Sequence, residues 1–255
     1  MSYEPTIREL IERQFSLEFD IDKDEFRNTK NVFTCKKSDL DFRLWARFKG
    51  DIVCYQDKVL FRFENSEVLK QLQAEFSNYD GQWFFEKNNL EKLSQILKKH
   101  GLKIVNRAPF FVPGHRFKLE NLNTDFCFYG KRSIKLFQND ERIVHSFCYD
   151  DGIDEDKIGL AYFDGIKMVS ISGASRTGKY MWEIGVEKLI NDEKYYGKPS
   201  EIVHHLAARI LHDYDNILPI YGTQFSHTKS MNTAIRAGFV IGWIELMISD
   251  IPEDN

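Results

Sequence analysis

Between Lys157 and Val186 the chain twice reads as a strand that turns back on itself. "KIGLAYF" and "IKMVSISG" are apolar runs on either side of Asp164-Gly165, and an Asp-Gly step between such runs is a strong hairpin signal. "SRTGK", Ser175 to Lys179, then separates the second run from "YMWEIGV", with Gly178 free to take a positive φ. Three strands joined by two tight turns are antiparallel neighbours, so the middle of a sheet is fixed. The second turn also mimics a nucleotide site, because Gly173, four residues and then Gly178-Lys179 spell GxxxxGK. A phosphate loop needs a helix opening directly after the Lys and a Ser or Thr to hold Mg²⁺. Tyr180 stands there and a strand follows, so the motif reads as a hairpin and not as an ATP or GTP site.

Beyond this meander lies a polar loop, "EKLINDEKYYGKP", and then "SEIVHHLAARILHDY", a helix with Ile202, Leu206, Ile210 and Leu211 on one face and Ser200 as its expected cap. "NILPIYGT" is a strand, "TKSMNTAIRAGF" a helix ending at Gly238, and "FVIGWIELMIS" a last long strand. The order β-β-β-α-β-α-β puts antiparallel strands first and then a crossover helix that makes a parallel step. In the first half, "EPTIRELIERQF", "SEVLKQLQAEF" and "NNLEKLSQILKKHG" have helical spacing, with Ser66 as the expected cap of the second. "DIVCYQDKVLFRF" reads as a hairpin, and "DFRLWARF" and "GQWFFE" read as strands. Pro113-Gly114 is the best internal break. The expected organisation is an α/β protein with a mixed sheet: an N-terminal α/β lobe over residues 1–112 and a second domain over 113–255.

Composition narrows the function classes. With 42% hydrophobic and 29% charged residues the chain is an ordinary globular one, and a formal net charge of −4 gives no basic footprint for nucleic acid. Cys35, Cys54, Cys127 and Cys148 form no CxxC pair, so no zinc or redox motif is signalled. The polar opening "MSYEPTIREL" and the absence of a long apolar run predict a soluble cytoplasmic protein with no membrane partner.

"GAS" before the third strand, "MWEIGV" on it, then "IYGTQFSHTKSMNTAIRAGF" and "GWIEL" resemble, in this order, the general N-acetyltransferase (GNAT) superfamily. "NVFT", "GQWFFE" and "VPGHRF" extend the likeness to a clostridial-type group with an additional N-terminal lobe, itself read as a divergent copy of the same fold. The resemblance implies transfer of an acetyl group from acetyl-CoA to an amine on a small molecule or peptide. It implies that the third and fourth strands run parallel and splay. Backbone at Met181, Ile184 and Val186 then pairs with the pantetheine arm, and the pyrophosphate rests at the start of the following helix. Glu183, mid-strand beside the gap with Trp182 and Ile184 facing the other way, is the expected base. Where the family places a Tyr acid this chain has Ala234; Ser226 or His227, at the start of the same helix, are the donors in reach, or are simply a cap and a surface residue.

The phosphate loop departs from the family pattern. Its matching residues are Tyr196, Gly197, Lys198, Pro199, Ser200 and Glu201, with Pro199 and Glu201 where the family has small residues that lend N–H groups. Pro199 has no N–H, and Glu201 competes with phosphate for the helix dipole. Tyr196, Gly197, Lys198 and Ser200 remain the candidates for the cofactor's phosphates. Two readings stay open: an acetyltransferase with a rearranged loop, or a pseudo-acetyltransferase that keeps the fold as a binding module. His204, His205 and His212 read as a helix face, and Asp150 to Asp156 as an exposed linker, so no metal is expected.

Overall fold

The computed structural model describes residues 4–22, 24–28, 30–114, 117, 122–150 and 152–252; His115 and Arg116 of "VPGHRF" and Asp151 of the acidic linker lie outside them. In chain order the elements are α1 (Glu4–Phe19), β1 (Val32–Cys35), β2 (Gly50–Tyr55), β3 (Lys58–Phe63), α2 (Ser66–Phe76), α3 (Lys87–Lys99), β4 (Leu102–Pro113), β5 (Phe126–Gly130), α4 (Lys131–Ile134), β6 (Asp156–Asp164), β7 (Lys167–Arg176), β8 (Met181–Lys188), α5 (Lys198–Asp213), β9 (Leu218–Gly222), α6 (Thr228–Arg236) and β10 (Phe239–Asp250). The class is α/β with mixed sheet pairing. Two compact units emerge: one of Met1–Ile11 with Phe111–Ile241, the other of Glu12–Phe110 with Gly242–Asn255. Both ends of the chain thus group with the unit of the opposite half: Met1–Ile11 with Phe111–Ile241, and Gly242–Asn255 with Glu12–Phe110.

In the unit built on Glu12–Phe110, strands run in the order β1-β3-β2-β10, with β1 parallel to β3 and the other pairs antiparallel. Gln56 and Asp57 both take positive φ, which closes the β2–β3 hairpin with a twist suited to its strands. One face of β3 sends Val59, Phe61 and Phe63 into a core with Val68, Leu72 and Phe76 of α2 and Leu93 and Leu97 of α3. Asn65, one residue before the expected cap, accepts the Glu67 N–H and starts α2. Two expected strands are short 3₁₀ turns. Leu44–Arg47 turns because Arg43 commits both its backbone N–H and its guanidinium to the Glu18 carboxylate. Gly81–Trp83 turns because Asp80 caps the Gln82 N–H, and a Cβ at Gly81 would come within 2.5 Å of the Asp57 carbonyl.

The opposite side of this small sheet is charged and dry. Arg43 is fully buried and meets three fully buried carboxylates: Glu18 at 2.8 Å, Asp51 at 3.5 Å, and Glu245. Trp243 Nε1 donates to Glu245 (2.9 Å), and the guanidinium lies 5.1 Å from the Phe15 ring centre. Asp51 Oδ1 and Glu245 Oε1 have no hydrogen-bond partner among the described residues. Burial, reinforced by Glu245, holds Asp51 well above the ordinary carboxylate range, against the pull of Arg43 and Arg62. A carboxyl raised in this way binds more protons folded than unfolded. Its stabilisation is therefore complete below about pH 4 and is lost as pH rises through the folded value. Asp51→Asn removes that titration without changing the shape. Urea midpoints across pH should decline towards alkaline pH more steeply in the wild type than in the variant; parallel curves would show that Asp51 is ionised throughout.

In the other unit the order is β5-β6-β7-β8-β9, antiparallel up to β8 and parallel between β8 and β9. Both hairpins form where the turn chemistry places them. Gly165 has φ +61° and Gly178 +87°, and the Thr177 N–H closes the second turn on the Met181 carbonyl (2.9 Å). Lys179 therefore precedes a strand, and no helix opens behind the GxxxxGK sequence. The apolar side of α5, with Ile202, Val203, Leu206 and Ile210, packs on Ile158, Leu160, Ala174, Trp182 and Ile184. The other face of the sheet packs Ala161 and Ile171 against Ile134, Ile143 and Phe147. Among the described residues no helix is long and apolar enough to cross a membrane.

Candidate functional site

The parallel pairing of β8 with β9 lasts three residues: Met181 with Leu218, Trp182 with Pro219, and Glu183 with Ile220. β8 continues to Lys188 along β7, while β9 ends at Gly222. Among the described residues no β9 partner faces Ile184 to Lys188, so one backbone edge of β8 is left for another extended group. Of the three residues expected to pair with a pantetheine arm, Ile184 and Val186 lie on this open stretch, whereas Met181 is already paired with Leu218. Trp182 and Ile184 point to α5, which leaves Glu183, Gly185 and Glu187 on the opposite face.

A segment of chain lies directly on that face, and two glycines make room for it. Gly173 and Gly185 are cross-strand partners. A Cβ at Gly185 would stand 1.7 Å from the His145 carbonyl oxygen, and one at Gly173 2.1 Å from that of Ser146. Glu187, 8% exposed, ties the segment down: its carboxylate accepts the N–H groups of Val144 (2.6 Å) and His145, the His145 ring at Nδ1 (3.2 Å), and the Ser146 hydroxyl (3.0 Å). Further along the same row, Ser175, the cross-strand partner of Glu183, donates to Asp156 (2.6 Å), which also accepts the N–H groups of Cys148 and Tyr149. The acidic stretch that ends at Asp156 thus finishes in a buried anchor.

Tyr221 is the first β9 residue past the paired stretch. It is 4% exposed, and its hydroxyl lies 2.8 Å from Ser230 Oγ on α6. Burial raises its pKa, opposed by the Ser230 bond, and the negative charges of Glu187 and Glu183 push it up further. The phenol is therefore a proton-bearing group in the field of both carboxylates. Ser226 and His227 are exposed at the start of α6, and the His227 side chain caps nothing. Ala234 is fully buried in the core beneath α6.

α5 starts at Lys198 rather than Ser200, because Gly197, at φ +90°, supplies the left-handed step into the helix. Its N-terminus is poorly furnished for an anion. Pro199 has no N–H, and the Ser200 and Glu201 N–H groups both turn back onto the Gly197 carbonyl at 3.0 Å. Lys198 Nζ bonds Glu201 at 2.7 Å and sits 4.3 Å over the Tyr162 ring. Tyr196 is exposed beneath the Arg236 guanidinium. The unpaired edge of β8 fits an amide-bearing arm, whereas the helix start as it stands does not fit a pyrophosphate. No group of three metal-ligating side chains occurs among the described residues.

No family model and no curated protein matches the sequence. Among solved structures, a GCN5-related N-acetyltransferase-like protein from Streptococcus suis aligns over 96% of this chain and 99% of its own at 11% identity and a TM-score of 0.42. A GCN5-related N-acetyltransferase from Kribbella flavida aligns over 63% of this chain and 64% of its own at 11% identity and a TM-score of 0.42. A GNAT-family acetyltransferase from Colwellia psychrerythraea aligns over 57% of this chain and 56% of its own at 12% identity and a TM-score of 0.38.

Sequence reasoning passed over Tyr221, His145 and Glu187. Tyr221 looks like any strand aromatic, and His145 and Glu187 are separated by 42 residues. The one local trace was Gly173 and Gly185 inside strands, a sign of close backbone approach. Gly185→Ala should displace the 143–147 segment at a cost of about 1–3 kcal/mol. Urea unfolding measures it, and wild-type stability would mean that the segment yields freely.

Proposed function

We propose that this chain transfers an acetyl group from acetyl-CoA to a primary amine in the cleft where β8 leaves β9. The three-residue parallel pairing carries the reading. It leaves a strand edge of the right kind beside a carboxylate, Glu183, on the face away from α5. The pantetheine amides extend the sheet along Ile184 to Val186, as an added strand does. Glu183 draws the ammonium group by charge and takes its proton, directly or through water. The freed amine attacks the thioester carbon, the C–S bond breaks, and the departing thiolate takes up a proton. Tyr221, whose buried hydroxyl sits on β9 just past the last paired residue, can give it and regain one from the amine nitrogen as the amide forms, whereas Ser226 and His227 are exposed. Glu183→Gln should lower the turnover of amine acetylation by about 10²-fold with folding intact. Wild-type turnover, followed by thiol release, would reduce Glu183 to a structural residue.

A second reading rests on the start of α5. Pro199, the inward-turned N–H groups and the Lys198–Glu201 pair favour a protein that keeps the fold but holds the cofactor's phosphates poorly. A lost hydrogen bond to a charged group is worth about 1.5–3 kcal/mol, and repulsion from Glu201 adds to it, so affinity falls by about two to three orders of magnitude. Calorimetry with acetyl-CoA on the wild type and on Pro199→Gly/Glu201→Gly separates the two. Tight binding restored only in the double variant supports the binding-module reading. Wild-type binding in the range of about 1–10 μM would remove it and leave the active enzyme.

A further inference from the structure

Acetylation of an ammonium group releases one net proton per turnover. The amine loses one proton before attack and a second as the amide forms, and the thiolate retains only one of them. A carboxylate in a partly buried cleft can accept the released proton but must discharge it before the next cycle. The structure holds a side chain suited to that task. His145 belongs to the segment laid over Gly185, two residues beyond Glu183 on β8, and its ring reaches on to Glu187, four residues and so about 13 Å along the same face. Its side chain is 80% exposed, while the Glu187 carboxylate behind it is 8% exposed.

A carboxylate accepts at both oxygens, so the His145 contact at Nδ1, 3.2 Å, assigns a ring N–H to Nδ1 and, in the neutral ring, the lone pair to Nε2. The backbone N–H groups of Val144 and His145 and the Ser146 hydroxyl hold the same carboxylate, so the pair is fixed from both ends. Glu187 is the charged group that the ring touches; Glu183 lies on the same face of β8, and the field of both carboxylates reaches Tyr221 on β9. Nothing in the packing of the segment needs the imidazole: Ile143 and Phe147 enter the core, and the His145 ring stays outside it.

The geometry points to His145 as the proton exit of the cleft, with Glu187 as its positioning residue. The inference rests on the acetyl-transfer reading above. The proton passes from the ammonium nitrogen to Glu183, through water to His145 Nε2, and from there to a buffer base. His145 returns to its starting tautomer, and no other reactant is consumed.

The test is chemical rescue in the full-length protein. Acetylation of a panel of primary amines is followed by thiol release, for wild type and His145→Ala, in dilute buffer lacking imidazole and with imidazole added. His145 is exposed, so folding is not at stake; circular dichroism of the variant checks this. The expected result is a fall in kcat of about 10²-fold in dilute buffer, an unchanged KM for acetyl-CoA, and recovery on adding imidazole. A variant as fast as wild type in dilute buffer overturns the exit role and leaves acetyl transfer intact. A slow variant that imidazole does not rescue also overturns it, since a structural defect is indifferent to a small base. No thiol release by the wild type with any amine overturns the acetyl-transfer reading, and the exit falls with it.

Discussion

Parallel strands in the interior of a sheet normally stay paired, because every backbone group taken from water needs a partner. β8 and β9 part after Glu183 and Ile220, and the candidate site follows from that break. α5 keeps its side of β8 packed with Trp182 and Ile184, so the strand itself does not drift. β9 turns away with Tyr221 held on α6 through Ser230. What opens between them is a short edge of strand with a carboxylate on one face. Neither strand could supply this arrangement if the pairing ran two residues longer.

The second requirement is thinness. Gly173 and Gly185 remove two side chains from neighbouring strands, so a crossing segment meets the sheet backbone to backbone. Glu187 then fastens the segment with four hydrogen bonds to one carboxylate. Placing the anchor on the strand brings titratable groups to the gap from two parts of the chain while adding little bulk. In the other unit the same need to fix a turn is met differently. Glu18 collects the backbone and the guanidinium of Arg43, and two more carboxylates are buried with it. Such a cluster specifies geometry more than it adds stability, because desolvation offsets much of the attraction.

What the sequence made legible was local. Asp164-Gly165, Gly178 and the helical spacing of α2, α3, α5 and α6 are short-range signals, and the structure forms hairpins and helices there. The β-β-β-α-β-α-β order and the parallel step at β9 followed from them. The failures came where a distant partner overrode local preference. "DFRLWARF" has strand composition, yet Arg43 turns it towards Glu18, 25 residues away. "GQWFFE" curls because Gly81 packs on the β2–β3 turn. Asn65 rather than Ser66 caps α2, and Gly197 rather than Ser200 opens α5, a shift that a left-handed glycine makes possible and spacing does not reveal. The His145–Glu187 pair and the Arg43 cluster were invisible because their members share no window of sequence.

The ion pair at the start of α5 has a consequence for how anything anionic is received there. Glu201 is covalently carried by the helix whose Lys198 it binds, so it acts as a ligand that never diffuses away. A tether this short keeps a competitor present at an effective concentration of at least the order of millimolar. A free phosphate arriving from solution meets an occupied lysine and gains little by displacing the occupant. The Lys198 charge is thereby spent within its own helix, and any anion from solution must displace a tethered carboxylate to reach it.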